Sequence, residues 1–146
     1  NPDFHISTDI IVGFPGETEK EFNETLQTMA DLPLGDTHLF TYSPRKGTAA
    51  MRIPGRIAKP EAKRRHGQLR EIAEGKKSEF LRSLIGQSRE VLWERETKRK
   101  AGQLHWRGYT DNFVRVSTCS EEALFNQIRR SELLELDGEG QLSAKA

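Results

Sequence analysis

Cysteine is almost missing: 146 residues hold one, Cys119. That excludes a disulfide framework, and it excludes a zinc or iron–sulfur site built from the thiols of this chain alone. Long apolar runs are missing too. None approaches the ~18 residues that cross a bilayer, and the opening Asn1-Pro2-Asp3 carries neither the basic nor the hydrophobic part of a secretory signal. The expectation is a cytoplasmic protein with no membrane partner. There is no Gly-Lys-Ser/Thr and no Gly-x-Gly-x-x-Gly, so the triphosphate loop and the dinucleotide fingerprint are both excluded. The four histidines, His5, His38, His66 and His105, share no metal-ligand spacing. No metal site and no catalytic residue is assigned. The chain also lacks an initiator methionine and opens directly into a strand-like segment, so it reads as a fragment.

What is present is a composition of 34% hydrophobic and 31% charged residues, that of a folded globular chain. The net charge is only +1, but it is unevenly laid out. Residues 1–44 contain eight acids and one lysine, whereas residues 45–70 contain nine lysines and arginines against Glu61 alone. Such a switch points to an electrostatic face for a polyanion, with a solvated basic helix as the plain alternative.

"HISTDIIVG" reads as a parallel strand covered on both faces, because Ile10, Ile11 and Val12 leave no polar side at its end. Thr18 and Glu21 form a capping box, and Phe22, Leu26, Met29 and Ala30 trace one apolar stripe, predicting a helix over 19–31. "THLFTY" is a second strand, with His38, Phe40 and Tyr42 on one face. Strand, helix and strand within about 40 residues predict a parallel βαβ unit. A Gly/Pro-punctuated loop follows, and then a helix from about Pro60 to Ile85 with Gly86 just past its end and a kink allowed at Gly75. After Gly86 come "REVLWE", "GQLHWRGYT", "NFVRVS", "NQIRR" and "LLELDGEGQL", short runs that predict a small barrel or sandwich. The boundary falls at Leu84 to Gly86.

Gly13 and Gly16 flank Phe14-Pro15 between the first strand and the capped helix. Two readings stand: backbone N–H groups facing an anion or ribose, or a tight turn that needs glycine for its φ values. Glu17 is either a ligand hook or a first-turn acid. Asp9, an acid in an apolar strand, calls for a buried ion pair. In the last 60 residues Lys98, Arg99, Lys100, Arg107, Arg115, Arg129 and Arg130 lie among Trp106, Tyr109 and Phe113. Basic side chains next to aromatic ones suit RNA phosphates and stacked bases. Against that, Trp93, Trp106 and Phe113 are the large residues a small barrel would bury. Residues 86–146 carry ten basic and ten acidic groups, so any RNA face there is local.

"STDIIVGFPGETEKEFNETL", "HLFTYSPRKGTAA" and "GYTDNFVRV", in this order and covering essentially the whole chain, resemble the C-terminal half of the radical-SAM methylthiotransferases. The last phrase is most similar to the tRNA subfamily that acts on threonylcarbamoyladenosine beside the anticodon. The resemblance implies an α/β plus all-β protein: residues 1–85 as the C-terminal part of a partial TIM-like (β/α) barrel with a closing helix, and 86–146 as a TRAM domain, an OB-like β-barrel that binds tRNA. It implies S-adenosylmethionine and two [4Fe-4S] clusters in a parent enzyme whose missing N-terminal part would carry the cluster cysteines, so that this chain alone is inactive. It places Gly13, Pro15, Gly16, Glu17, Tyr42, Ser43 and Arg45 at the cofactor pocket. In the RNA-binding part it favours Tyr109, Asn112 and Arg115, beside Lys98, Arg99 and Arg107. Arg45 would hold a carboxylate or phosphate bidentately, or else brace the loop through Asp9 or Glu17. The alternatives are a methylthiotransferase for isopentenyladenosine in tRNA or for a ribosomal protein, and, in another class, a stand-alone RNA-binding adaptor.

Overall fold

The computed structural model describes residues 3–100, 103–137 and 140–146, with the backbone alone at 98–100 and 103. Two compact units are present: residues 6–77, and residues 78–146 together with the first five.

In the first unit, β1 (Ser7–Val12) and β2 (Asp36–Thr41) pair in parallel, with Asp9 opposite His38 and Ile11 opposite Phe40. Helix α1 (Glu19–Asp31) connects them, as the periodicity predicts. Its capping box is formed: the Glu21 N–H donates to Thr18 Oγ1 at 3.2 Å, and the Thr18 N–H donates to Glu21 Oε2 at 2.8 Å. Helix α2 (Lys59–Ser83) runs unbroken through Gly75. Phe22, Met29, Leu69 and Ala73 from the helices bury against Val12, with Ile10 and Leu39 packed at the edge. A side chain such as Phe22, with no exposed surface, contributes roughly 2–3 kcal/mol by leaving water.

Only one face of this sheet is covered within the described residues. Ile11 is 54% and Phe40 52% exposed, and Asp9 and His38 share their side. The expectation of a strand covered on both faces is thus corrected. So is the buried ion pair expected at Asp9, because the two strands and two helices of this unit supply a single packing layer.

In the second unit, β3 (Ser88–Lys100), β4 (Gln103–Thr110), β5 (Arg115–Ser120), β6 (Gln127–Leu136) and β7 (Leu142–Lys145) close into a barrel in the order β3-β4-β5-β7-β6. Trp93, Trp106, Val116, Leu133 and Leu142 fill it, together with Leu81 and Leu84 from the last turn of α2 and the residues after it. The sequence places a change of structure at Leu84 to Gly86, whereas the compact units divide inside α2, between Lys77 and Ser78. Two strand assignments are corrected. "NQIRR" and "LLEL" are one continuous strand, β6, and β5 begins at Arg115 because Asp111 and Asn112 form a turn that Phe113 leaves at φ 62. Phe113 is 78% exposed and is no part of the core.

Candidate functional site

The turn after β1 is held from inside. Gly13 and Gly16 have φ of 75 and 84, a region that L side chains avoid, and a Cβ on Gly13 would stand 3.0 Å from that of Ala62. The Gly13 N–H donates to Glu17 Oε2 at 2.9 Å, the Gly16 N–H to the Gly55 carbonyl at 2.9 Å, and the Glu17 N–H to the Phe14 carbonyl at 3.0 Å. These three donors are committed within the protein, so the turn does not offer them to an anion.

Glu17 is a brace rather than a hook, and its partner is Arg65, a residue that sequence reasoning missed. Arg65 Nη1 donates to the Glu17 carboxylate at 2.8 Å and to its carbonyl at 3.0 Å, Nη2 to Glu19 at 3.0 Å, and Nε to Glu61 at 2.7 Å. The guanidinium also lies 5.1 Å from the centre of the Phe22 ring. Its side chain is only 5% exposed. The sequence signal lies in the spacing: Glu61 and Arg65 are four apart on one helix face, yet among nine clustered cations nothing marks Arg65 as the inward one.

Arg45 does not bond to Asp9 or Glu17. Among the described residues its side chain has no hydrogen bond or ion pair and stands exposed, and its carbonyl accepts from Thr48. Ser43 is exposed beside it, while Tyr42 packs edge-on against Phe14 at 5.1 Å.

The hydrogen bonds from Arg64, and then from Arg65, hold the Glu61 carboxyl down at about 2, against an ordinary 4.5. A depressed carboxyl stabilises the folded state above its unfolded pKa, and that contribution is lost as pH falls through the folded value. Glu21, lowered by its bonds to Thr18, acts in the same direction. Melting temperature is therefore expected to hold above pH 4.5 and to decline between 4.5 and about 2. Melts at stepped pH should show a shallower decline for Glu61→Gln; identical slopes would remove Glu61 from the acid response.

At the carboxyl ends of β1 and β2 lies a cleft of about 470 Å³, with Gly13, Pro15, Tyr42, Pro44 and Ile57 on one side. The first two turns of α2 wall the other, through Lys59, Ala62, Lys63 and His66, and Arg56 stands at the loop. Of the residues expected at a cofactor pocket, Gly13, Pro15 and Tyr42 line this cleft; Gly16, Glu17, Ser43 and Arg45 do not.

On the barrel, strand register gathers a second set. Tyr109 and Arg115 are paired across β4 and β5, and Arg107 lies opposite Arg95 on β3 and Ser117 on β5. Arg115 donates to the Tyr109 hydroxyl at 2.9 Å and stacks over its ring at 5.6 Å. Arg95, Arg107 and Arg130 are exposed and have no ion-pair partner among the described residues. Arg129 is paired with Glu122 at 2.8 Å. Asn112 is a turn residue: its Oδ1 accepts from Thr110 and its Nδ2 donates to the Asp3 carbonyl at 2.8 Å. Trp93 and Trp106 are buried, as the small-barrel reading requires. The side chains of Lys98, Arg99 and Lys100 lie outside the described residues.

No protein-family profile matches the chain. Curated relatives do. The chain is 42% identical over 94 residues, 64% of its length, to the threonylcarbamoyladenosine tRNA methylthiotransferase MtaB of Thermotoga maritima. It is 36% identical over 144 residues, 97% of its length, to the tRNA-2-methylthio-N(6)-dimethylallyladenosine synthase of Methylobacillus flagellatus, and 34% identical over 134 residues to that of Neisseria gonorrhoeae. The chain belongs to the radical-SAM methylthiotransferase family. It spans 22% of the length of the first of these relatives and 32% of the second.

The cofactors that radical-SAM methylthiotransferase kinship implies meet this chain unequally. An iron–sulfur cluster does not fit: the one cysteine, Cys119, is exposed beside His105 at 3.5 Å, and among the described residues no three His, Cys, Asp or Glu side chains gather. For S-adenosylmethionine the two sides of the exit loop differ. Arg45, exposed and unpaired, suits a carboxylate, whereas the cleft offers cations to a molecule that is itself a sulfonium.

Proposed function

We propose that this chain is the carboxyl-terminal part of a tRNA methylthiotransferase acting on threonylcarbamoyladenosine, and that its own task is to hold RNA. The observation that carries the RNA part is the outer row of the barrel, Arg95, Arg107 and Arg115 beside Tyr109, in which the arginines have no carboxylate partners among the described residues. Guanidinium groups without carboxylate partners on neighbouring strands suit phosphate oxygens, and a tyrosine beside them offers a ring to an unpaired base. This unit, a small closed barrel, is the TRAM domain in that reading. Support for the substrate is the 42% match to a threonylcarbamoyladenosine enzyme, together with the "GYTDNFVRV" phrase.

Gly16, Glu17, Ser43 and Arg45, the expected pocket residues that do not line the cleft, then form one edge of the S-adenosylmethionine pocket. The turn contributes by its shape, and Arg45 by its charge. In the parent polypeptide the bound cofactor and clusters supply radical chemistry; Glu17 and Arg65 keep the edge rigid. Among the described residues no helix is long and apolar enough to cross a membrane, and the reading places the protein in the cytoplasm.

Fluorescence anisotropy with a labelled anticodon stem-loop tests the RNA part. Binding is expected to weaken steeply with salt, with a log–log slope of about −2 if three phosphates are neutralised. Arg107→Gln/Arg115→Gln should weaken it roughly tenfold and flatten the slope, and Tyr109→Leu should cost about 1–3 kcal/mol. A signal indifferent to salt, or none at low salt, overturns the assignment.

A further inference from the structure

We propose that the cleft between the β1–β2 carboxyl ends and the start of α2 binds the phosphate and base of one nucleotide, and is not part of the S-adenosylmethionine pocket. Three observations converge on it.

The first is charge left over after pairing. The acids near the start of α2 are Glu17, Glu19 and Glu61, and all three are engaged by Arg64 and Arg65. Arg56, Lys59 and Lys63 line the cleft, are exposed, and have no ion pair among the described residues; no acidic side chain lines it with them. Three uncompensated cations around one concavity make an anion site. They also repel S-adenosylmethionine, which carries a net positive charge at neutral pH because its sulfonium and ammonium outweigh its carboxylate.

The second is an orphan donor. The Tyr42 hydroxyl is buried without a hydrogen-bond partner, in a residue that lines this cleft. A desolvated hydroxyl costs free energy until something bonds to it, and the hydrogen-bonding edge of a base is such a partner.

The third is size and surface. About 470 Å³ lies within the range of small-ligand sites and holds a nucleotide. Pro15, Pro44, Ile57 and Ala62 offer apolar surface to a base, while Lys59 and Lys63, one turn apart on α2, reach a phosphate from one side.

The proposal deepens the RNA reading, and rests on it only for the source of the nucleotide. The test uses the whole 146-residue chain. Adenosine 5′-monophosphate, adenosine and S-adenosylmethionine are titrated separately and followed by amide NMR and calorimetry. The monophosphate is expected to bind about tenfold more tightly than adenosine and to move the Gly13, Tyr42 and His66 amide signals. Lys59→Gln/Lys63→Gln, both exposed positions, should remove that advantage with the melting temperature unchanged.

Equal binding of adenosine and its monophosphate, an unaffected double variant, shifts confined to the barrel, or S-adenosylmethionine binding as tightly at the same residues would each overturn it. The stem-loop separates the two claims. Monophosphate binding without stem-loop binding keeps the cleft and sinks the RNA reading. Stem-loop binding untouched by the double variant, with no monophosphate binding, does the reverse.

Discussion

Arg65→Ala should lower the melting temperature of the first unit by more than about 10 °C. The guanidinium is nearly enclosed and satisfies three carboxylates and a carbonyl at once. Its removal leaves Glu17, itself 13% exposed, with a charge that water hardly reaches, and it uncovers the Phe22 ring. Breaking a buried pair from one side costs about 3 kcal/mol or more, and each kcal/mol is worth roughly 4–8 °C in a unit of this size. Arg64 is the control. It bonds to the same Glu19 and Glu61, but its side chain is 44% exposed and water screens the pairs, so Arg64→Ala should lower the melting temperature far less than Arg65→Ala. Arg65→Lys keeps the charge and loses the fork, and should fall between the two. Thermal unfolding by circular dichroism decides: equal losses for the Arg64 and Arg65 variants would mean that burial does not set the effect.

Gly108→Ala should open the barrel. A Cβ at this position of β4 would collide with the Leu92 carbonyl oxygen and stand 2.9 Å from Val91 Cγ1 and 3.0 Å from the Trp93 ring. The first of these is backbone, which no rotamer change can clear, and it belongs to the strand that pairs with Gly108 through Trp93. Strands β3 and β4 must separate or slip, at a cost of about 3 kcal/mol or more. Trp93 and Trp106 report the outcome, because both are buried: their fluorescence should shift to the red and near-ultraviolet dichroism should collapse. Gly75→Ala is the contrast. A Cβ there meets nothing within 4 Å, in the middle of a helix, so that variant should be as stable as the parent or more so by about 0.5–1 kcal/mol. A Gly108→Ala protein with unchanged tryptophan spectra would disprove the close approach.

The two glycines also mark what a sequence can and cannot disclose. Local signals were legible: Thr18 with Glu21 announced α1, alternation announced β2, and the short runs after Gly86 announced a barrel. What failed depended on neighbours far along the chain. Nothing in "HISTDIIVG" tells that Ile11 stays open while Ile10 is covered, because that depends on which layers pack against the strand. Phe113 looks like core by its size but sits on a turn at positive φ. Arg45 and Arg65 are equally cationic in sequence. Only the fold turns Arg65 inward to Glu17 and leaves Arg45 in solvent, so the brace expected of the one is supplied by the other. Three of the four residues of the candidate RNA row, Arg107, Tyr109 and Arg115, are legible from type and spacing, whereas Arg95 joins them only through the irregular β3–β4 register, which shifts between Trp93 and Arg95.

The barrel closes through β7, four residues that pair with β5 at Val116 and Ser117 and with β6 across a register shift. Without β7, strands β3 to β6 are an open sheet with β5 and β6 as free edges, and the seam is sewn only when β7 docks between them. Until then those edges can recruit strands from other nascent chains. A chain truncated before Leu142 would keep both edges sticky, while one carried through Lys145 would be sealed.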